Sequence, residues 1–256
     1  MMQNSIIRAE NLCIGYDDKV IMKNLSFDIP KGDIFIIMGG SGCGKSTLLR
    51  TLTGLIPAHT GQIWIRGIDF INASPAEKLE VMKHSGILYQ SGALFSSMTL
   101  AENVALPLQQ YTSYLPDKIS QIVAFKLALV GLAGYEDYYP SEISGGMRKR
   151  AGLARALALN PEIVYFDEPS AGLDPISSKN LDDLILEINK TLGTTIIVVT
   201  HELSSIFAIG KNSIFLDKTI KTISAKGNPN ELLKNPPNKQ VYEFLTRGEQ
   251  YEKRTK

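Results

Sequence analysis

A glycine-rich segment near residue 40 has the residue types and spacing of a phosphate-binding loop. It fits the pattern G-x-x-x-x-G-K-[ST] and consists of Gly39, Gly40, Ser41, Gly42, Cys43, Gly44, Lys45, Ser46 and Thr47. Its glycines allow backbone N–H groups to turn inward around phosphate oxygens, and a helix that begins there adds the positive end of its dipole. Lys45 can reach β- and γ-phosphates, and the Ser46 hydroxyl is a ligand for Mg²⁺. The segment therefore predicts a site for a nucleoside triphosphate with magnesium.

Two adjacent acidic residues follow an apolar run farther along the chain. The run Ile163–Phe166 ends in Asp167 and Glu168. Carboxylates at the C-terminal end of a buried parallel strand lie where such sheets bind ligands. We expect Asp167 to hold the magnesium ion, directly or through water, and Glu168 to polarise an attacking water. The two motifs together predict phosphoryl chemistry but leave kinases, GTPases, helicases and transporters open.

The segments around these motifs predict an α/β fold. Short β-like runs near the start of the chain end at the glycine-rich loop, and a helical pattern follows over Ser46–Leu55. The β-branched run within Thr194–Thr200 suits a parallel strand covered on both faces. Residues from about 93 to 160 have a mostly helical pattern, and those from about 212 to 256 predict a hairpin, a helix and a tail. We expect residues 1–256 to form a single domain that contains a helical subdomain at about 93–160.

Composition and charge argue against several classes of protein. No apolar run approaches the length that crosses a bilayer, and residues 1–8 lack the apolar region of an export signal, so a membrane role would come through a partner. The net charge is +1, and the basic residues are spread along the chain, which gives no electrostatic case for nucleic acid. Cys13 and Cys43 form no metal or disulfide pattern, which favours the cytoplasm. The position of Cys43 at a helix N-terminus predicts a lowered thiol pKa and inhibition by maleimides. The favoured role of the residue itself is a structural thiol that fills the loop.

A third motif narrows the choice left open by the first two. The segment Ile143–Met147, with the sequence Ile-Ser-Gly-Gly-Met, stands directly before the helical stretch Arg148–Leu159. With this motif the sequence resembles the ATP-binding-cassette (ABC) family, whose signature is a Ser-Gly-Gly motif before such a helix. The resemblance covers essentially the whole chain, with its motifs in the right order. It implies a P-loop NTPase fold of the ABC nucleotide-binding type, with a parallel core sheet, an N-terminal antiparallel β part and an inserted helical subdomain.

The resemblance also implies roles for individual residues. Tyr16 corresponds to the aromatic residue that stacks on adenine, Gln90 to the glutamine that senses magnesium and the attacking water, and His201 to the switch histidine. The loop Ser170–Asp174 corresponds to the segment that links two protomers. The implied catalytic residues are Glu168, His201, Gln90 and Lys45. The implied magnesium ligands are Ser46, Gln90 and Asp167. The residues implied to reach the ATP of a second copy are Ser144, Gly145 and Gly146. The implied cofactors are ATP and Mg²⁺, and the implied assembly is a head-to-tail dimer.

The signature departs from the common family pattern at both ends. It begins with Ile143 and ends with Met147, where most relatives have Leu and Gln. The Ser-Gly-Gly-Met form, followed by Arg-Lys-Arg, resembles the Mla-type lipid-transport branch associated with MCE-domain proteins, as do residues 89–95, 102–108 and 151–159. This resemblance implies an ATPase subunit that powers phospholipid transport between the inner and outer membranes. Its expected partners are an integral-membrane permease and an MCE-domain protein, and its expected place is the cytoplasmic face of the inner membrane.

Two other functions stay open at this stage. One keeps the chemistry and changes the cargo to amino acids, metals or drugs. The other is a soluble cassette ATPase of DNA repair or translation, which the lack of a coiled-coil insertion or a second cassette disfavours. The family resemblance implies a groove near Gln90–Phe95 that accepts a short permease helix, and the small and apolar residues there suit either such a contact or an ordinary core of the helical subdomain. The segment Tyr242–Leu245 predicts a surface that packs either on a partner chain or on its own domain.

Overall fold

The computed structural model of the chain describes residues 5–248, which fall into two compact units. The first unit runs up to Lys78 and resumes at Val198, and the second spans Leu79–Ile197. The assignment of the whole chain to a single domain stays a prediction. Within residues 5–248, no helix combines the length and the apolar character needed to cross a membrane.

The described part of the chain contains both strands and helices. The strands are β1 Ser5–Tyr16, β2 Lys19–Pro30, β3 Ile34–Met38, β4 Thr60–Ile65, β5 Ile68–Asp69, β6 Ser85–Leu88, β7 Ile163–Asp167, β8 Thr195–Val199, β9 Asn212–Asp217 and β10 Thr222–Gly227. The helices are α1 Lys45–Leu52, α2 Pro75–Lys83, α3 Leu100–Tyr111, α4 Pro116–Leu129, α5 Gly145–Ala156, α6 Pro175–Leu192, α7 Leu203–Ile209, α8 Pro229–Lys234 and α9 Lys239–Leu245. A short 3₁₀ helix covers Pro140–Glu142.

The first unit begins with an antiparallel sheet. Strand β1 pairs with both β2 and β4, and β4 pairs with β5. A two-residue turn joins β1 to β2, and Asp17 in this turn has a φ of 48°, a conformation that aspartate tolerates. Ile7, Leu12 and Ile14 are fully buried along β1, so one face of the sheet forms a core. The predicted N-terminal antiparallel part is confirmed.

The remaining strands form a mixed, mostly parallel arrangement. In the first unit β3 pairs parallel with β9, and β9 pairs antiparallel with β10. All five residues of β3 are buried, as expected for a strand covered on both faces. In the second unit β6 pairs parallel with β7, from Ser85 opposite Ile163 to Leu88 opposite Phe166. Strand β8 is also fully buried, begins in the second unit and ends in the first. The predicted parallel character of the core sheet is confirmed.

Helices dominate the middle of the second unit. Helices α3, α4 and α5 pack against one another, and α5 also packs on β6. Thr99 begins α3 with a capping box, in which its hydroxyl accepts from the Glu102 N–H and the Glu102 carboxylate accepts from the Thr99 N–H. These helices correspond to the helical region predicted at about 93–160.

The C-terminal part of the chain packs on the first unit. The ring of Phe244 in α9 meets the ring of Phe215 in β9 edge-on, with 5.2 Å between centroids. Val241 and Leu245 of the same helix are buried. Of the two alternatives for this segment, the structure therefore places it on its own unit. The predicted tail from residue 249 onward lies outside the described residues.

Candidate nucleotide-binding site

The phosphate-binding loop joins β3 to α1 in the first unit. Gly39, Gly42 and Gly44 have φ values of 149°, 70° and 98°, which L-residues with side chains rarely adopt. A Cβ on Gly39 would lie 2.5 Å from the Leu216 carbonyl oxygen, so this glycine is also required by close packing. At Gly40 and Gly42 a Cβ would meet no atom within 4 Å, which leaves the outer side of the loop open. The loop is therefore a backbone cradle with one accessible face.

The ammonium group of Lys45 lies at the start of this loop. Its Nζ donates hydrogen bonds to the carbonyl oxygens of Gly39 at 2.9 Å and Gly40 at 3.3 Å. The side chain is largely buried, whereas Ser46, the next residue of α1, is partly exposed. The first turn of α1 adds the positive end of the helix dipole at the same point. Charge, backbone and dipole together suit a bound polyphosphate.

The structure contradicts the predicted reactivity of Cys43. The side chain is 1% exposed, and a Cβ on Gly39 would lie 2.7 Å from its sulfur, so the thiol fills the inside of the loop. Burial raises the pKa of Cys43 despite the opposing effect of the Lys45 charge. The helix N-terminus alone suggests the opposite direction, and desolvation outweighs it. Cys43 is a structural thiol in the native loop.

Tyr16 and His201 are the other predicted site residues in the first unit. Tyr16 ends β1 with 39% of its surface exposed, and its hydroxyl accepts a hydrogen bond from Arg50 of α1 at 3.0 Å. Its ring is therefore fixed in position and accessible. His201 is exposed and follows Thr200, whose N–H donates to the Ile37 carbonyl of β3. The residues that lead to His201 are thus attached to the strand that leads to the phosphate loop.

The two predicted acids lie at the end of β7 in the second unit. Residues Ile163–Phe166 are buried, and Asp167 and Glu168 become partly exposed where the strand ends. Glu168 has a φ of 50°, a left-handed conformation that few residues other than glycine adopt. The Ala171 N–H donates to the Glu168 carbonyl at 3.2 Å and closes a tight turn. The chain therefore reverses sharply at Glu168, which is a common site for a functional side chain.

The signature segment forms the exposed N-terminus of α5. The Ser144 hydroxyl accepts a hydrogen bond from the Met147 N–H at 3.2 Å and caps the helix. Ser144 and Gly145 are exposed, so the first N–H groups of α5 face the surface. A Cβ on Gly146 would lie 3.9 Å from both Leu173 and Ser177, which places the signature next to the predicted dimer loop. This helix end has the form of an anion-binding site.

Asp174 ends the dimer loop and begins α6. Its carboxylate accepts hydrogen bonds from the N–H groups of Ser177 and Ile176, both at 3.0 Å. Hydrogen bonds from Ser177, and to a smaller extent from Ile176, hold the pKa of Asp174 below its ordinary value. The cap, together with the proline in the first helical position, explains why α6 begins at Pro175.

Gln90 lies just beyond β6 and is exposed. The segment after it is fastened to α5 by Arg155, which donates to the Ala93 carbonyl at 2.8 Å and the Gly92 carbonyl at 3.1 Å. The guanidinium also lies 5.9 Å from the centre of the Phe95 ring. The position of this segment is therefore set from α5.

An apolar cavity of about 430 Å³ lies next to this segment in the second unit. Its lining includes Leu79, Met82, Ala93, Phe95, Tyr111 and Arg155. Phe95 and Met82 are 50% and 47% exposed, unusually high for large apolar side chains. The buried Asn103 holds Phe95 in place, since its side chain accepts from the Phe95 N–H at 2.8 Å and donates to the Phe95 carbonyl at 3.1 Å. A cavity thus lies beside Ala93 and Phe95, within the segment for which a permease groove is predicted, and that role of the segment stays a prediction.

The predicted site residues are divided between the two units. The first holds Tyr16, residues 39–47 and His201, and the second holds Gln90, residues 144–146, Asp167, Glu168 and Asp174. The donor set proposed for magnesium fits that ion chemically, because Ser46, Gln90 and Asp167 supply only oxygen ligands. The open face of the loop likewise fits a polyphosphate. The individual roles stay predictions.

Two basic residues of α5 do not stand out in the sequence. Lys149 is buried and donates to the carbonyls of Pro169 and Ala171, whereas Arg155 holds the segment after Gln90. Both look like ordinary basic residues of a polar helix. A signal exists in retrospect: residues 149, 152 and 156 share one face with the buried Leu153, so Lys149 falls on the apolar side of α5.

Comparisons with known proteins agree with this geometry. Residues 22–171 match the family described as "ABC transporter", more than half of the chain. The chain is 45% identical over 198 residues to "Probable ribonucleotide transport ATP-binding protein mkl" of Mycobacterium leprae, covering 77% of this chain and 57% of that protein. It is 40% identical over 244 residues to "Intermembrane phospholipid transport system ATP-binding protein MlaF" of Haemophilus influenzae, covering 95% and 91%. The chain thus spans little more than half the length of the mycobacterial relative.

Solved structures give the same result. The ATP-binding cassette MJ0796, a dimer bound to ADP and Pi, superposes with a TM-score of 0.78 at 26% identity over 87% of this chain and 98% of that one. CbiO1 of Clostridium perfringens, described as part of the ABC transporter complex cbiONQ, superposes with a TM-score of 0.82 at 28% identity over 96% and 97%. The chain is an ATP-binding ATPase domain, and it belongs to the ABC transporter family.

Proposed function

We propose that the chain hydrolyses ATP as the nucleotide-binding subunit of a transporter that moves phospholipid between the inner and outer membranes. The observation that carries the lipid assignment is the 40% identity to MlaF over nearly the whole of both chains. The Ser-Gly-Gly-Met signature on α5 supports the lipid assignment. Its last residue differs from that of most ABC proteins, and this form resembles the Mla-type lipid-transport branch. The phosphate loop supplies the nucleotide-binding part of the proposal.

The proposed roles in ATP binding follow from the chemistry of each side chain. The Lys45 ammonium would bind the β- and γ-phosphates, and Tyr16 would stack on adenine. Ser46, Gln90 and Asp167 would hold a magnesium ion, which neutralises negative charge on the phosphates. Glu168 would orient and polarise the attacking water, and His201 would help to hold the γ-phosphate in line.

A second copy of the chain would complete each nucleotide site. The exposed N-terminus of α5, with Ser144, Gly145 and Gly146, offers N–H groups and a positive dipole end to a γ-phosphate. Gly146 is close to the loop that ends at Asp174, so both elements proposed to meet the partner lie side by side. The dimeric form of the related cassette MJ0796 is in line with this assembly.

A membrane permease would occupy the cavity beside Phe95. The cavity volume, its apolar lining and its exposed rim suit one or two turns of an amphipathic helix. The chain would then act at the cytoplasmic face of the inner membrane, and an MCE-domain protein would belong to the same complex. Nucleic acid is not among the proposed partners.

A different cargo is the second candidate. The 45% identity to the mycobacterial protein described as a ribonucleotide transport ATP-binding protein favours it. This candidate keeps the ATPase, the dimer and the permease and changes only the transported molecule.

Purification from membranes distinguishes these functions. The affinity-tagged chain would be isolated from detergent-solubilised membranes, and copurifying proteins and lipids would be identified by mass spectrometry. The proposal expects a multispanning permease, an MCE-domain protein and bound phospholipid. A permease with another binding protein would retain the transporter and remove the lipid. Absence of any membrane protein would favour a soluble cassette ATPase. The Lys45→Ala variant serves as a control, because it should bind ATP more weakly and keep the same partners.

A further inference from the structure

Lys149 is a buried lysine in the middle of the signature helix. Its residue is 6% exposed, and its Nζ donates hydrogen bonds to two backbone carbonyls, those of Pro169 at 2.6 Å and of Ala171. These carbonyls stand on either side of Ser170, which is itself buried. One ammonium group therefore holds both ends of a three-residue loop.

This arrangement carries an energetic cost. Burial lowers the pKa of Lys149, because an ammonium ion is less stable away from water, and the charge of Glu168 partly opposes this effect. A buried charge is tolerated when its donors are satisfied, and here carbonyl oxygens satisfy at least two of three. An apolar side chain of equal length could fill the same space without that cost. The ammonium group therefore does something that packing alone does not require.

The loop that Lys149 holds begins at the proposed catalytic carboxylate. Glu168 has left-handed backbone geometry, and Pro169, whose carbonyl accepts from Lys149, is the next residue. The turn closes with the Ala171 N–H on the Glu168 carbonyl, so both bonds to Lys149 act on the same turn. A shift of this backbone would move the Glu168 side chain directly.

The same helix carries the signature. Ser144 caps the start of α5, and Lys149 lies five residues later, little more than one helical turn. A Cβ on Gly146 would lie 3.9 Å from the side chain of Leu173 in the dimer loop. Helix α5 is thus connected to the loop from Glu168 to Asp174 at two points, one by packing and one by hydrogen bonds.

We propose that Lys149 is a positioning residue for ATP hydrolysis, which fixes the backbone turn after Glu168 to the signature helix. In this role Lys149 touches neither substrate nor reacting atoms. It fixes the backbone that carries Glu168, which would act on the nucleotide held by the same chain, to helix α5, whose N-terminus would cap the nucleotide held by the second copy. The inference rests on the proposed function through the role given to Glu168.

The test compares three variants in the membrane complex purified with the tagged chain. Lys149→Met keeps an unbranched side chain one atom shorter and removes the donors, and Lys149→Gln removes the charge but keeps an NH₂ group with two donors. Lys126→Met is the matched control, because Lys126 is another buried lysine of the same unit, 2% exposed, whose Nζ donates to the Asn160 side chain at 2.7 Å. Steady-state ATPase kinetics give kcat and KM, and thermal unfolding gives stability.

The proposal expects a specific pattern. Lys149→Met should lower kcat by about 10- to 100-fold while KM for ATP changes less than about threefold, because a misplaced carboxylate affects the transition state and not ATP binding. Lys149→Gln should recover a substantial part of kcat. Lys126→Met should lower stability and leave kcat within about twofold of the wild type. Should Lys149→Met fail to fold, the kcat of Lys149→Gln is compared with that of Lys126→Met: the proposal expects Lys149→Gln, with its incomplete recovery, to stay about threefold or more below Lys126→Met, and equal kcat in both would overturn it.

Glu168→Gln separates this proposal from the one on which it rests. Loss of turnover in Glu168→Gln with wild-type kcat in Lys149→Met would overturn the role of Lys149 and leave the proposed function intact. Full turnover in Glu168→Gln would remove the role of Glu168 and that of Lys149 with it. A third outcome is that Lys149→Met and Lys149→Gln lose the same kcat and the same stability. In that case Lys149 would be merely structural.

Discussion

Gly152 of α5 lies so close to Gly92 that it has no room for a side chain. A Cβ on Gly152 would stand 2.8 Å from the Gly92 carbonyl oxygen and 2.9 Å from a methyl carbon of Leu88. A Cβ on Gly92 would stand 2.9 Å from the Arg148 carbonyl oxygen, and Gly92 has a φ of 79°. The segment that follows Gln90 is thus packed backbone to backbone on the signature helix.

This contact predicts that Gly152→Ala destabilises the protein. Overpacking typically costs about 1–3 kcal/mol, and the better helix propensity of alanine offsets about 1 kcal/mol of that. We expect a net loss of up to about 2 kcal/mol in the free energy of unfolding, measured by urea denaturation. Gly145→Ala is the matched control, since a Cβ there would meet its nearest neighbour, Arg148, at 3.7 Å. A higher free energy of unfolding for Gly152→Ala than for the wild type would contradict the close approach.

The sequence predicts those parts of the site whose geometry depends only on neighbouring residues in the chain. The loop at 39–47 and the helix after it follow from glycine spacing and one helix start. The Ser144 cap, which begins α5 at Gly145 rather than at the predicted Arg148, emerges from the structure. The antiparallel and parallel parts of the fold follow from strand composition together with the family resemblance. Asp174 was assigned only to the dimer loop, and its second role as the cap of α6 emerges from the structure.

Long-range packing explains what the sequence could not predict. The pKa of Cys43 depends on its burial inside the loop, near Gly39, and the neighbouring residue types do not reveal that burial. Lys149 and Arg155 act on segments 20 and more than 60 residues away, at Pro169 and at Gly92. No local periodicity identifies the partner of such a side chain.

The burial of Cys43 predicts slow alkylation of the native protein. Because the thiol pKa is raised, the reactive thiolate is scarcer at neutral pH than in an ordinary cysteine, and its fraction grows as pH rises toward that pKa. N-ethylmaleimide should therefore modify the partly exposed Cys13 first and leave ATP binding intact. Peptide mass spectrometry over time measures both sites, and labelling in urea provides the control in which both react. Prompt native labelling of Cys43 would refute its burial.

The geometry of Lys45 predicts that its loss weakens ATP binding. Its ammonium is held at the loop mouth by the Gly39 carbonyl, and hydrogen bonds between charged groups contribute about 1.5–3 kcal/mol. Lys45→Ala should therefore lower ATP affinity by about 10- to 150-fold in a fluorescent-nucleotide titration. Glu168→Gln, by contrast, should retain ATP and lose about 100-fold or more in turnover. ATP affinity in Lys45→Ala equal to that of the wild type would remove Lys45 from the site.

The cavity beside Phe95 predicts that a charge placed on its lining separates the chain from its permease. Ala93 is exposed, lines the cavity and lies next to the Arg155 guanidinium, which donates to its carbonyl. Ala93→Arg adds bulk and a second positive charge there, and like charges in an interface cost several kcal/mol, so permease recovery should fall by about tenfold or more. Leu115→Arg is the control, because Leu115 is 75% exposed in the same unit and is not among the residues that line the cavity. ATP binding should be unchanged in both variants. Equal permease recovery with Ala93→Arg and Leu115→Arg would mean that the permease docks elsewhere. Loss of ATP binding in Ala93→Arg would mean that the segment after Gln90 supports the nucleotide site itself.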